Sequence, residues 1–134
     1  MSEYVISEFK ESLTDSYNKF VLRNFGRNSY QSNSEYINWL YFKNPYGRGY
    51  SDFLLALDNS KNVVGCVHKI RYEILNTETN TKYSCTSIHN LMVDIEHRNG
   101  VGFLLIRDFL KNEKSFLIPG VIGMLSDSYK NLGS

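Results

Sequence analysis

Cysteine, proline, net charge and long apolar runs are all scarce in this chain, and each shortage removes a class of protein. Only two cysteines occur in 134 residues, Cys66 and Cys85, and they carry no metal-ligand spacing. Both sit in strand-like sequence, which predicts reduced core side chains in a cytoplasmic protein and no metal site. Two prolines, no low-complexity tract and no internal repeat leave no inter-domain linker, so residues 1–134 read as a single domain. A net charge of +1 leaves no electrostatic footprint for nucleic acid or an anionic membrane. The longest apolar runs fall far short of a membrane span, and Met-Ser-Glu-Tyr lacks the basic, then apolar, pattern of a signal peptide. Aromatics, by contrast, are plentiful, with 10 Tyr and 8 Phe. A chain of this length can bury about two-thirds of its unfolded surface.

Residues 3–8 predict a short first strand. Leu13, Tyr17, Phe20, Val21 and Phe25 recur at helical spacing, and Gly26 is placed to end that helix in a left-handed cap. Arg27 to Asn33 is a polar loop. Ser32 followed by Glu35 reads as a capping box opening a second helix, Tyr36 to Lys43, which Pro45 stops. Phe53 to Leu57 is a continuous apolar run, hence a buried strand. The turn residues 58–62 lead into a long strand, Val63 to Leu75, and the cluster 76–80 turns it into a third, Lys82 to Val93. Gly100 to Lys111 predicts a helix with Val101, Leu104, Leu105 and Phe109 on its apolar face. A further strand is expected at 116–118 and 121–122, interrupted by Pro119-Gly120, and a last short helix from Ser126 towards Leu132.

The most informative stretch runs from His89 to Ile106. There an apolar strand enters a short polar turn with two glycines, and an amphipathic helix follows directly. Such a turn lets backbone N–H groups converge, and the helix behind it adds a positive N-terminal end, together an anion site suited to a pyrophosphate. Gly100 and Gly102 keep side chains out of the way, while His97, Arg98 or both supply charge. The same glycines also fit a plain strand-to-helix turn. His89 precedes Leu91 by two residues and Val93 by four, so strict alternation places all three on one face of the strand.

The order strand, two helices, three antiparallel strands, helix, strand, helix resembles the GNAT acyltransferase superfamily. Four segments carry the resemblance: Trp39 to Gly47, Leu57 to Gly65, the turn 97–102, and Tyr129-Lys130-Asn131-Leu132-Gly133. It implies an α+β fold with a mixed sheet, ordered β-α-α-β-β-β-α-β-α around a central antiparallel meander. In that family two further strands follow, so the chain reads as C-terminally truncated, and pairing with a second copy or another chain across the open sheet edge is expected.

The resemblance also implies acetyl-CoA as acyl donor. The family turn reads Arg or Gln, any two residues, Gly, any residue, Gly or Ala, and its amides hold the pyrophosphate. His97-Arg98-Asn99-Gly100-Val101-Gly102 fits that spacing with His97 leading. Counted from Val93, Arg98 leads and the turn is one residue short. Leu91, Met92 and Val93 match the strand whose main chain holds the pantetheine arm. His89 stands where some amine acetyltransferases keep a histidine that helps deprotonate the acceptor amine through water, and Ser87 stands where others carry a glutamate base. His68 is a second histidine with no motif behind it. Tyr129 matches the tyrosine that protonates the departing thiolate. The expectation is an acetyl-CoA-dependent N-acyltransferase acting on a primary amine of a small molecule, an amino sugar being the acceptor suggested by the Trp39–Gly47 stretch. The competing reading is an inactive GNAT-like module that binds coenzyme A or a partner protein.

Overall fold

The computed structural model describes residues 3–111 and 113–117. Five strands form one sheet in the order β1-β2-β3-β4-β5, with β1 at Val5–Glu8, β2 at Phe53–Leu57, β3 at Val63–Asn76, β4 at Thr81–Val93 and β5 at Phe116–Leu117. Pairing is antiparallel from β1 to β4 and parallel between β4 and β5. The sheet is mixed, as expected, and its centre is the predicted meander. Both hairpin turns are built by side chains that imitate backbone acceptors. Asp58 Oδ1 accepts the amides of Ser60 and Asn62 at 2.9 Å each, and Asn76 Oδ1 accepts those of Glu78 and Thr79 at 3.0 and 3.3 Å.

Helix α1 spans Thr14–Asn24 and Gly26 takes the left-handed conformation just beyond it, φ 83°. Tyr17, Phe20 and Val21 are its buried side chains, and they pack with Phe53, Leu55, Val63 and Cys66 on one face of the sheet. Cys66 and Cys85 are both free and buried.

The second helix differs from the expectation in both its cap and its form. Helix α2 covers Ser34–Ile37 and continues as a π-helical turn, Asn38–Phe42. Its cap is Asn33 rather than Ser32. Asn33 is extended and its Oδ1 accepts the Tyr36 amide at 3.0 Å, whereas Ser32 Oγ is spent on the Gly26 carbonyl at 2.6 Å. The wider turn closes with Lys43 N–H on the Asn38 carbonyl at 2.8 Å and turns Tyr41 into the core.

Helix α3, Val101–Leu110, covers the opposite face. Val101, Leu105, Ile106 and Phe109 pack with Leu54, Val64, Val67, Ile88 and Val93. Gly65 on β3 permits the close approach. A Cβ there would lie 3.1 Å from Leu105 Cδ1 and 3.3 Å from Val101 Cγ1, tighter than a packed interior accepts without movement. No described helix is long and apolar enough to cross a membrane. The expected strand at 121–122 and helix from Ser126 lie outside the described residues.

Candidate active site

The site forms where β4 stops being regular. His89 pairs with His68 and Met92 with Cys66, so β4 advances three residues while β3 advances two. The extra residue is a bulge, with Asn90 left-handed at φ 54°. Asparagine is among the few side chains that enter this region readily. The bulge overturns one expectation. Alternation slips by one residue, so Leu91 and Val93 pack with α3, while His89 shares the α1/α2 face with its neighbour His68. The three side chains therefore do not face one way.

The Asn90 side chain is saturated with hydrogen bonds. Its Nδ2 donates to His68 Nδ1 at 3.0 Å and Tyr41 Oη at 3.1 Å, and its Oδ1 accepts from Tyr30 Oη at 2.6 Å and Gln31 Nε2 at 3.1 Å. One amide thus ties the bulge to β3, to the π turn and to the loop before α2. Sequence reasoning missed this hub. Its only local signal was an asparagine deep in strand-forming sequence, where that residue is depleted.

His68 lies fully buried, stacked on Phe53 with ring centroids 3.7 Å apart. Because Nδ1 accepts from Asn90, the proton sits on Nε2, which has no hydrogen-bond partner among the described residues. Burial pushes its pKa down to about 3, so it is a neutral packing residue at pH 7. His89 is half-buried, with Nε2 2.8 Å from Ser87 Oγ. Burial lowers its pKa too, leaving the imidazole neutral at pH 7 and able to take up a proton.

Beyond the bulge the strand end is clamped from α1. Asp94 accepts from Arg23 Nε at 2.9 Å, Arg23 Nη2 at 2.6 Å and Asn24 Nδ2 at 2.6 Å. Burial alone would raise the Asp94 pKa, but these bonds outweigh it and hold the carboxyl below its usual range. The turn that follows is thereby fixed to the sheet, and its two cations part company. His97 Nδ1 lies 3.0 Å from Tyr4 Oη, and the same hydroxyl reaches Asn99 Oδ1 at 3.4 Å. Arg98 folds back along β4, its Nε donating to the Val93 carbonyl at 3.1 Å, beside a cleft of about 380 Å³ that it lines with Arg23, Met92 and Asp94.

Gly100 caps α3 at φ 110° with nothing within 4 Å of where a Cβ would stand. The amides of Val101, Gly102 and Phe103 are those that no helical turn can satisfy. Among the described residues β5 pairs with β4 at Thr86 and Ser87, and the β4 edge from Ile88 to Val93 has no strand partner there, the Val93 carbonyl being taken by Arg98. A strand edge able to accept an extended chain therefore leads straight to an open, partly positive helix end. Tyr129 lies outside the described residues.

No protein-family model matches this sequence, and no curated protein matches it. Solved structures do. A glucosamine-6-phosphate N-acetyltransferase from Arabidopsis thaliana superposes with a TM-score of 0.70 at 10% identity, over 99% of this chain and 92% of its own. An acetyltransferase of the GNAT family from Staphylococcus aureus gives 0.58 at 20% identity, covering 98% and 81%. An aminoglycoside 6′-N-acetyltransferase from Acinetobacter baumannii gives 0.66 at 12% identity, covering 96% and 88%. By superposition and by coverage, this chain has the fold of the GNAT acetyltransferases.

Proposed function

We propose that the chain is an acetyl-CoA-dependent N-acetyltransferase that passes the acetyl group directly to a primary amine of a small molecule, an amino sugar. The observation that carries this reading is the junction at the end of β4, where a strand edge unpaired among the described residues, the Asn90 bulge and the glycine-opened end of α3 meet. The residues fit the donor. Open space over Gly100 lets a pyrophosphate reach the amides of Gly100, Val101 and Gly102, with Arg98 adjoining the turn as a cation held by the Val93 carbonyl, while His97 and Asn99 are turned to Tyr4. Leu91, Met92 and Val93 offer main-chain groups to an extended amide-bearing arm.

Acetyl-CoA, when bound, supplies an acyl group on a thioester. The chain's part is to hold the two substrates together and to polarise the reacting carbonyl with strand amides near Leu91 and Val93. His89, neutral at pH 7, takes the proton that the amine gives up as its C–N bond forms. Tyr129 gives a proton to the sulfur as the C–S bond breaks. Tyr129→Phe should leave donor affinity nearly unchanged and lower turnover by about 10²-fold. The rate should rise with pH along a limb below pH 6.5, and His89→Ala should abolish that limb. Equal turnover with Phe at position 129 would remove the tyrosine from this role.

Calorimetry with acetyl-CoA tests the reading directly. Binding is expected, and Gly100→Val should weaken it tenfold or more, about 1.4 kcal/mol. Valine at φ 110° also strains the backbone, by roughly 1–2 kcal/mol of stability. Gly26→Ala provides the control, because Gly26 is left-handed at φ 83° in open space and follows the end of α1 rather than opening α3. It should lose stability while keeping donor affinity. Absence of binding in the parent protein would favour the inactive module.

A further inference from the structure

The segment packed beside the Asn90 bulge carries a feature that the transfer chemistry does not use. Tyr30, Tyr36 and Trp39 are all exposed, Trp39 by 61%, yet they touch in sequence. The Tyr30 and Tyr36 ring centroids lie 5.3 Å apart with planes at 67°, and those of Tyr36 and Trp39 lie 5.7 Å apart at 46°. The ladder has a fixed inner end. Tyr30 Oη donates to Asn90 Oδ1 at 2.6 Å, so the row starts on the bulge beside His89 and runs outward along α2.

Three exposed rings kept in contact need a reason, because apolar surface is usually withdrawn from water. Their surroundings point to the occupant. Between Tyr30 and Phe42 there is no lysine or arginine, and Glu35 is the single charged residue. Ser34, Glu35 and Asn38 are exposed on the same segment, while its aliphatic side chains pack inward, Ile37 buried and Leu40 half-buried. Rings interleaved with a carboxylate, an amide and a hydroxyl suit a ligand having apolar C–H faces, many hydroxyls and a positive charge. The aromatic faces attract an ammonium through their quadrupoles, and Glu35 adds to the attraction. A hydrophobic protein partner would leave these polar groups without hydrogen-bond partners.

We propose that Tyr30, Tyr36 and Trp39 form a stacking platform for a saccharide bearing a primary amine, presented with its amine towards the Asn90–His89 end. The inference deepens the acetyl-transfer reading and rests on it for the direction in which the amine points. Trp39 is the only tryptophan of the chain, so its fluorescence reports on the platform alone.

The test is a fluorescence titration with glucosamine and with kanamycin, using glucose and putrescine as controls, alongside calorimetry with acetyl-CoA. Both aminosaccharides should change Trp39 emission saturably, and each control should do so at least tenfold more weakly. Tyr36→Leu, whose native ring is exposed, should keep the far-ultraviolet circular dichroism and raise the dissociation constants for both aminosaccharides at least fivefold. An emission change with no binding of acetyl-CoA would support the platform and overturn the transferase. Acetyl-CoA binding and acetylation of putrescine, with no response of Trp39 to either aminosaccharide, would overturn the platform and leave the transferase standing. Unchanged affinity in Tyr36→Leu would likewise overturn the platform.

Discussion

Glu113→Ala should destabilise the fold by about 3–5 kcal/mol, the scale for breaking a buried ion pair by removing one partner. Glu113 follows α3 and is bonded on both oxygens. Its Oε1 accepts from Lys69 Nζ at 2.9 Å and Arg71 Nη2 at 3.0 Å, and its Oε2 accepts from Thr86 Oγ1 at 2.8 Å and Arg71 Nη1 at 3.3 Å. Arg71 turns its Nε to Asp52 Oδ1 at 2.7 Å. The side chains of Lys69, Glu113 and Asp52 are 7%, 6% and 1% exposed, so water cannot screen the charges. Alanine at 113 would leave Lys69 charged, buried and without a carboxylate. The loss should come from that orphaned cation rather than from the pair itself. The double variant Lys69→Met with Glu113→Gln removes one charge of each sign and leaves Arg71 with Asp52, so it should recover at least half of the loss. Lys82→Ala gives the contrast. Lys82 and its partner Glu73 are 70% and 38% exposed at 3.9 Å, and removing the lysine should cost less than about 1 kcal/mol. Urea unfolding of these variants decides the matter. A Glu113→Ala protein within 1 kcal/mol of the parent would show that the network contributes little.

Acid should weaken the protein well before carboxylates titrate. The His68 pKa is pushed down to about 3 by burial, with a smaller contribution from His89 nearby, against about 6.5 in the unfolded chain. The unfolded state therefore binds a proton that the folded state refuses. The contribution is present above pH 6.5 and is lost as pH falls towards 3, by about 1.4 kcal/mol per pH step and about 2 kcal/mol by pH 5. Glu113 acts in a lower window. Burial opposes its ionisation, but the bonds from Lys69, Thr86 and Arg71 outweigh it and depress its pKa, so its share is lost only below about pH 4.5. Denaturation at pH 7 and pH 5 separates the two. His68→Gln keeps an acceptor for Asn90 and cannot titrate, so its stability should fall much less between these pH values. His89 remains in that variant and adds a smaller slope of the same sign. An equal fall in both proteins would mean that His68 is not the source.

Much of the fold was legible locally. The turns at 58–62 and 76–80 are made by an aspartate and an asparagine that bond backbone amides a few residues on, an interaction written in the sequence itself. The strands between them and most of the apolar stripe of α3 follow from periodicity, with Ile106 buried where Leu104 was expected, and Gly26 takes the left-handed conformation read for the end of α1. The family resemblance ordered these pieces and pointed to the turn at 97–102.

Tertiary structure alone decided which way the site residues face. Alternation along β4 placed His89 with Leu91 and Val93, and one bulged residue reversed that, because strand register is settled by pairing with β3 and not within β4. Ser32 and Asn33 are both fit to cap α2, but Ser32 is taken into the tight turn Tyr30–Ser32 and Asn33 is the residue left extended. The split between His97 and Arg98 depended on Tyr4, which β1 brings in from far along the chain. Lys69 and Glu113 are 44 residues apart, and nothing near either one announces the other. Turns and periods are short-range and can be read from the sequence. Facing, capping choices and buried charge pairs depend on what the folded sheet brings alongside, and those the structure supplied.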